Sequence, residues 1–184
     1  MMLMRRFIYA LFLLFFIACS NSTEDKNPFP INAFLEEELG QIDSLPIAII
    51  LNREKNGKSD TTVVDKKEFR TLAMQLIGID FQEKKYKNNY QELVLEDVQL
   101  GNISIGYTTD EPDLPIRKIE LNIDASSNKI KSIFAERQER EAEKLLIRKI
   151  LWTSGTELMV NTSYYKEGKF LNTLTERYNW AIGN

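Results

Sequence analysis

The strongest constraint on this chain is a period of two that sets in near Gln91 and runs to the end. Seven segments in succession carry it: ELVLED, NISIGYTT, IRKIELNID, KIKSIFAERQ, EKLLIRKILWT, TELMVNTSYYK and KFLNTLTERYNW. In the third, Ile119, Leu121 and Ile123 fall on one side while Lys118, Glu120 and Asn122 fall on the other, the alternation of a strand with one buried face. Phe170, Leu174 and Tyr178 share a parity near the end. The breaks come at Pro112 to Pro115, Ser126 to Asn128, Ser154-Gly155 and Gly168, where turn-forming residues interrupt the pattern. Strands joined by short turns pair antiparallel with their sequence neighbours. This half of the chain therefore predicts a curved β-meander.

A sheet that is apolar on one face needs cover, and the first half of the chain supplies it. From Asn32 to Leu39, NAFLEEEL predicts a short helix capped by Asn32, acidic in its early turns and ended by Gly40. Pro46 to Glu54 reads as a strand, Asn56-Gly57 as a hairpin turn, and Ser59 to Val64 as the returning strand. Asp65 and Glu68 have capping-box spacing, and beyond them Phe69, Leu72, Ala73, Leu76 and Ile77 share one helical face. The fold class that follows is α+β: a curved antiparallel β-sheet, a meander, with one or two helices packed on one face. One segment resists assignment. Residues 135–151, AERQEREAEKLLIRKIL, are rich in helix formers with Glu-Lys pairs at i, i+4, yet Leu145, Leu146 and Ile147 occupy both faces of a strand. We read a hairpin with its tip near Arg140 to Glu143.

The N-terminus carries an address. Arg5 and Arg6 precede the apolar run Phe7 to Ile17, and Ala18-Cys19 closes it. The run is the length of a signal-peptide core and falls short of the roughly 20 residues that span a bilayer. Cys19 is the only cysteine, so it cannot form an internal disulfide. Phe16-Ile17-Ala18-Cys19 resembles the bacterial lipobox, with Phe16 in place of the commoner Leu. That resemblance implies cleavage between Ala18 and Cys19 and a diacylglyceryl group, with its palmitate-type chains, on the Cys19 thiol. The domains expected are then a signal peptide (1–18), a lipidated Cys19 with a flexible tether (19–30), and a single α+β domain (31–184). Ser20 is not the Asp of an inner-membrane retention signal, so the expected location is the outer membrane, facing periplasm or cell surface. Glu24 and Asp25 resemble the acidic surface-export tags of Bacteroidota lipoproteins, but a solvated linker is the preferred reading.

Composition narrows the chemistry. The chain has no histidine, so Ser-His-Asp and Cys-His catalysis and ordinary zinc sites have no ligand or base to use. Removing residues 1–18 takes away both leader arginines and leaves 22 basic against 27 acidic residues, a net charge of −5. That balance argues against nucleic acid or anionic lipid headgroups as the main partner, since both require a basic face, and no long basic stripe appears.

Candidate sites are few. Ser126-Ser127-Asn128-Lys129 has S-x-x-K spacing but stands between two strands, without K-T-G or S-D-N companions, and reads as a turn. Asp110-Glu111-Pro112-Asp113 lacks the alternating ligands and bend glycine of a calcium loop. Glu36-Glu37-Glu38 reads as a solvated helix face. No metal and no cofactor is expected. The late aromatic residues Trp152, Tyr164, Tyr165, Phe170, Tyr178 and Trp180 either fill the core beneath the helix around Leu72 or line an open ligand or partner face.

Taken in order, LPIAII, NGKSDTT, EFRTLA, GNISIGYTTDEPDLPIRKIELNID, KIKSIFAE and LLIRKILWTSGTELMV resemble a set of small Bacteroidota lipoproteins of unknown function. The likeness spans Leu45 to Trp180 and brings no activity or site residues with it. It implies the β-meander and favours the hairpin for residues 135–151. The function expected is a membrane-anchored cell-envelope lipoprotein, held by its N-terminal lipid, that binds an envelope protein partner or serves in an assembly without being an enzyme. Two alternatives stand beside it: a carrier of a lipophilic ligand in a half-barrel groove, and a hydrolase built on paired carboxylates.

Overall fold

The computed structural model describes residues 28–97 and 99–180. The leader, Ala18, Cys19 and the tether as far as residue 27 lie outside the described residues. Two helices and nine strands follow: α1 (Ile31–Ser44), β1 (Ile49–Lys55), β2 (Lys58–Val64), α2 (Lys66–Ile77), β3 (Gln91–Asp97), β4 (Asn102–Thr108), β5 (Ile116–Asp124), β6 (Ile130–Glu141), β7 (Lys144–Thr153), β8 (Glu157–Lys166) and β9 (Lys169–Asn179). All nine strands form one open antiparallel sheet in the order β2-β1-β9-β8-β7-β6-β5-β4-β3. The chain is an α+β protein with a curved meander sheet. Strand β9 returns beside β1, from Lys55↔Leu174 to Ile50↔Asn179, and so fastens the N-terminal hairpin to the meander.

Local chemistry explains most boundaries. Asp65 caps α2, its Oδ1 accepting from the amides of Lys67 at 2.8 Å and Glu68 at 3.2 Å. Asn56 and Gly57 both have positive φ, 52° and 72°, as a two-residue hairpin turn requires. Helix α1 departs from expectation at both ends. It starts at Ile31 after Pro30, so Asn32 is already helical and caps nothing; it runs through Gly40 to Ser44. Burial outweighs the glycine here: Ile31, Leu35, Leu39 and Ile42 form one buried stripe, and stopping at Gly40 would lose Ile42. Lys66 then closes the helix end by donating to the Ile42 carbonyl at 2.8 Å.

Residues 135–151 form the hairpin, with its turn at Ala142 and Glu143. Ala142 takes the turn at φ 52°. Strand β9 carries a correction. Tyr164 pairs with Asn172 but Tyr165 with Phe170, so Leu171 is an extra bulged residue. The bulge reverses parity, and Phe170 lies on the face opposite Leu174 and Tyr178.

Directly paired residues share a face, which lets the core be traced in rows. One row runs Leu51, Tyr178, Leu158, Trp152, Ile133, Leu121; the next runs Val160, Ile150, Ala135, Ile119, Tyr107. Every buried strand residue lies on this side, and both helices rest on it. Phe69 of α2 seats against Trp152, Tyr178 and Trp180, with ring centroids 6.1, 5.6 and 5.1 Å away. Phe69→Ala is expected to cost about 3–5 kcal/mol of stability, read from a shift in the denaturant unfolding midpoint with the β-rich circular dichroism spectrum retained.

Candidate functional site

The six aromatic residues singled out in the sequence do not lie together. Trp152, Tyr178 and Trp180 are buried around Phe69. Burial, with Glu176 adding to it, pushes the Tyr178 phenol up to about 12 although Arg53 opposes the shift. Tyr164 lies on the same sheet face as this core, half-buried, with the Lys55 ammonium 5.9 Å from its ring centre. Tyr165 and Phe170 lie on the opposite face as an edge-to-face pair 5.7 Å apart.

Beside α2, where the helices stop covering the sheet, is a cleft of about 330 Å³ lined by Leu72, Gln75, Leu76, Val160 and the charged groups Arg137, Glu139, Arg148 and Glu176. Its charges are already spent on one another. Arg137 Nε donates to Glu139 Oε1 at 2.7 Å, Arg148 donates to Glu139 Oε2, and Arg137 Nη1 reaches the Gln75 carbonyl at 2.7 Å. Arg53 grips Glu176 through Nε and Nη2 at 3.1 and 3.0 Å. Burial penalises the Glu139 charge, but the two arginines outweigh it and hold the carboxyl below the ordinary glutamate range. A general acid needs the opposite shift. Glu139 on β6 and Glu176 on β9 line the same cleft from strands three apart, each carboxylate held by arginine.

The remaining sequence candidates have structural partners. Asp124 accepts from the amides of Ser126 and Ser127 at 3.1 and 2.9 Å and from both hydroxyls, so the S-x-x-K residues form a turn closed by a carboxylate. Those bonds, with Lys131, hold Asp124 well below the usual carboxylate range. In the Asp110–Asp113 loop the Glu111 carbonyl accepts from Arg117, and among the described residues no three acidic or cysteine side chains gather as a metal site. Glu38 turns inward, accepting from Trp152 Nε1 at 3.4 Å and the Gly155 amide at 3.1 Å, while Glu36 pairs with Arg70.

What sequence reading passed over is the end of the sheet. Strand β3 has a neighbour on one side only, so alternate residues direct their backbone N–H and C=O groups outward. It also carries Leu93, Val94 and Leu95, exposed by 60, 49 and 58%. The exposure has a cause in the neighbouring strand. Leu93 stands opposite Gly106 and Leu95 opposite Ser104, so neither leucine meets a side chain large enough to cover it. Glu92, Glu96 and Asp97 flank the three aliphatic residues. The other edge, β2, presents Lys58, Ser59, Asp60 and two threonines before Val63, the polar dress that edge strands ordinarily wear. The Leu-Val-Leu run was visible in the sequence; its place at an edge was not.

No protein-family model, no curated protein and no solved structure matches the chain.

The Arg137-Glu139-Arg148 cluster predicts a pH signature. Because the folded-state pKa of Glu139 is depressed, its stabilisation is complete above the unfolded value of about 4.3 and fades as pH falls toward the folded value. Glu139→Gln is expected to lower the unfolding midpoint clearly at pH 7. The gap from the parent protein should narrow as the pH is taken down to 3; a gap independent of pH would show that the cluster contributes only packing.

Proposed function

We propose that the chain is a membrane-anchored cell-envelope lipoprotein of the outer membrane, held by a diacylglyceryl group on Cys19. It works as a non-enzymatic binding or assembly subunit and accepts an extended strand from a protein partner along β3. The lipobox-like leader and the lone cysteine support the anchor. The observation that carries the partner site is the unpaired β3 edge with three consecutive exposed aliphatic residues. An edge of this kind recruits a strand by main-chain hydrogen bonds, and alternate side chains give selectivity.

Charge selects the strand. With Glu92, Glu96 and Asp97 at its flanks, β3 favours an apolar centre bracketed by Lys or Arg. A second copy of this chain suits it poorly. In the antiparallel register that matches all seven residues, Val94 meets Val94 and Glu92 meets Glu96, which places like charges opposite each other. Turnover finds no support in the cleft, whose carboxylates are held by arginines. A lipid carrier needs a mainly apolar cavity, and half of the residues lining the cleft are charged.

Two measurements test the reading. Intact-mass analysis of the mature protein should find Cys19 acylated, and Cys19→Ser should abolish the modification. A photocrosslinking residue at Leu95 in the intact envelope should yield an adduct with another protein, reduced at least fivefold by Glu96→Lys with Asp97→Lys, and absent when the probe sits at Thr61 on β2. Adducts made only of two copies of this chain, or equal adducts from both edges, would overturn the β3 assignment.

A further inference from the structure

Two hairpin tips stand at one end of the sheet with an unusual division of side chains. The β6–β7 and β8–β9 turns lie side by side, the Glu167 amide donating to the Glu143 carbonyl at 3.1 Å. Across them Lys144 pairs with Lys166 and Lys166 with Lys169. Facing residues of neighbouring strands have Cβ atoms about 5 Å apart, and like charges so placed repel. All three lysines are exposed, and Lys144 stands opposite Glu141 on its other side. The other side of the same tips is apolar. Leu145, Tyr165 and Phe170 stand opposite one another in one row, with Phe170 58% and the bulged Leu171 54% exposed.

A row of lysines backed by aromatic and aliphatic side chains is the arrangement that rests in a bilayer interface. There the apolar groups enter the headgroup boundary and the ammonium groups meet phosphates. The start of the described chain lies at the same end. The Phe29 amide donates to Tyr107 Oη at 2.9 Å, and Tyr107 is next to the last residue of β4, at the end of the sheet where both hairpins turn. Nine residues lie between Cys19 and Phe29, so the ten Cα steps reach at most about 35 Å. From Tyr107 the tips are about 20 Å along the strands and about 19 Å across them.

We propose that the β6–β7 and β8–β9 hairpin tips rest on the anionic phospholipid surface of the membrane that holds the Cys19 lipid, Phe170 and Leu171 entering the interface. This rests on the lipoprotein reading and adds an orientation to it. The mature chain carries −5 overall and the two turns themselves hold the exposed Glu143 and Glu167, so the contact rests on the local row of Lys144, Lys166 and Lys169 and not on a basic face. The orientation leaves the β3 edge free, on the far side of β4 from the tips.

The test uses the mature, acylated protein in vesicles containing brominated phospholipid, with phosphatidylglycerol or with phosphatidylcholine alone. The native Trp152 and Trp180 are buried, so an introduced tryptophan reports its own surroundings. Phe170→Trp should be quenched at least twofold more than the parent in phosphatidylglycerol vesicles, and less in phosphatidylcholine. Joint Lys144→Glu, Lys166→Glu and Lys169→Glu should remove the difference. Leu93→Trp on β3 should behave like the parent. If Cys19 is acylated but Phe170→Trp is not quenched, the docking fails while the lipoprotein reading stands, and the tips belong to a protein surface. Equal quenching at Phe170→Trp and Leu93→Trp also overturns the docking. An unacylated Cys19 in membrane-recovered protein overturns both.

Discussion

Phe69 touches three rings that arrive from distant parts of the chain: Trp152 on β7, Tyr178 on β9 and Trp180 just past it. Through that contact one helix residue locks the N-terminal half onto the meander. The sheet itself cannot decide which face to bury. Its strands alternate, and several of them, β7 above all, carry aliphatic residues on both sides. The α2 stripe of Phe69, Ala73, Leu76 and Ile77 decides it, and α1 follows because Lys66 and Arg70 of α2 hold it, Lys66 through the carbonyls of its C-terminal turn and Arg70 through Asp43 there and Glu36 nearer its start. Glu38 then ties α1 to the β7–β8 turn through Trp152 and Gly155. Burial on one face, ranked by ring size, is the constraint from which the rest follows.

The fold was largely legible because its signals are local and agree with one another. Alternation gave the strands, Asn56-Gly57 and Gly168 the hairpins, and Asp65 the helix start. The misreadings arise where a non-local demand wins. Gly40 ends nothing because Ile42 must still be buried. Phe170 changes face because one bulged residue, Leu171, intervenes, and no period in a single strand reveals a bulge whose evidence is the partner's register. In residues 135–151 the charges that suggested helical i, i+4 pairs are instead used across strands, Glu139 reaching Arg148 on β7.

The candidate sites were harder to read for a related reason. A residue's chemistry is written in the sequence, but its freedom to act depends on neighbours brought from elsewhere. Trp152, Tyr178 and Trp180 have the composition of a binding face and are consumed by Phe69. Leu93, Val94 and Leu95 look like an ordinary strand interior and become an exposed edge only because β3 is last in the sheet order, beside a β4 that offers Gly106 and Ser104.

The two sheet edges make the last point. An open nine-stranded sheet has to protect both ends against unwanted pairing. Strand β2 does so with polar residues from Lys58 to Thr62, although Val63 beyond them is 68% exposed. Strand β3 confines its charges to the flanks and leaves its centre apolar. Acidic flanks repel a second copy in the fully matched register and favour a basic strand, which is the selectivity the proposed partner would use. Had the edge needed only protection, one lysine at Val94 would have supplied it. The two edges therefore differ in where their polar residues lie, and it is on that difference that the proposed partner strand rests.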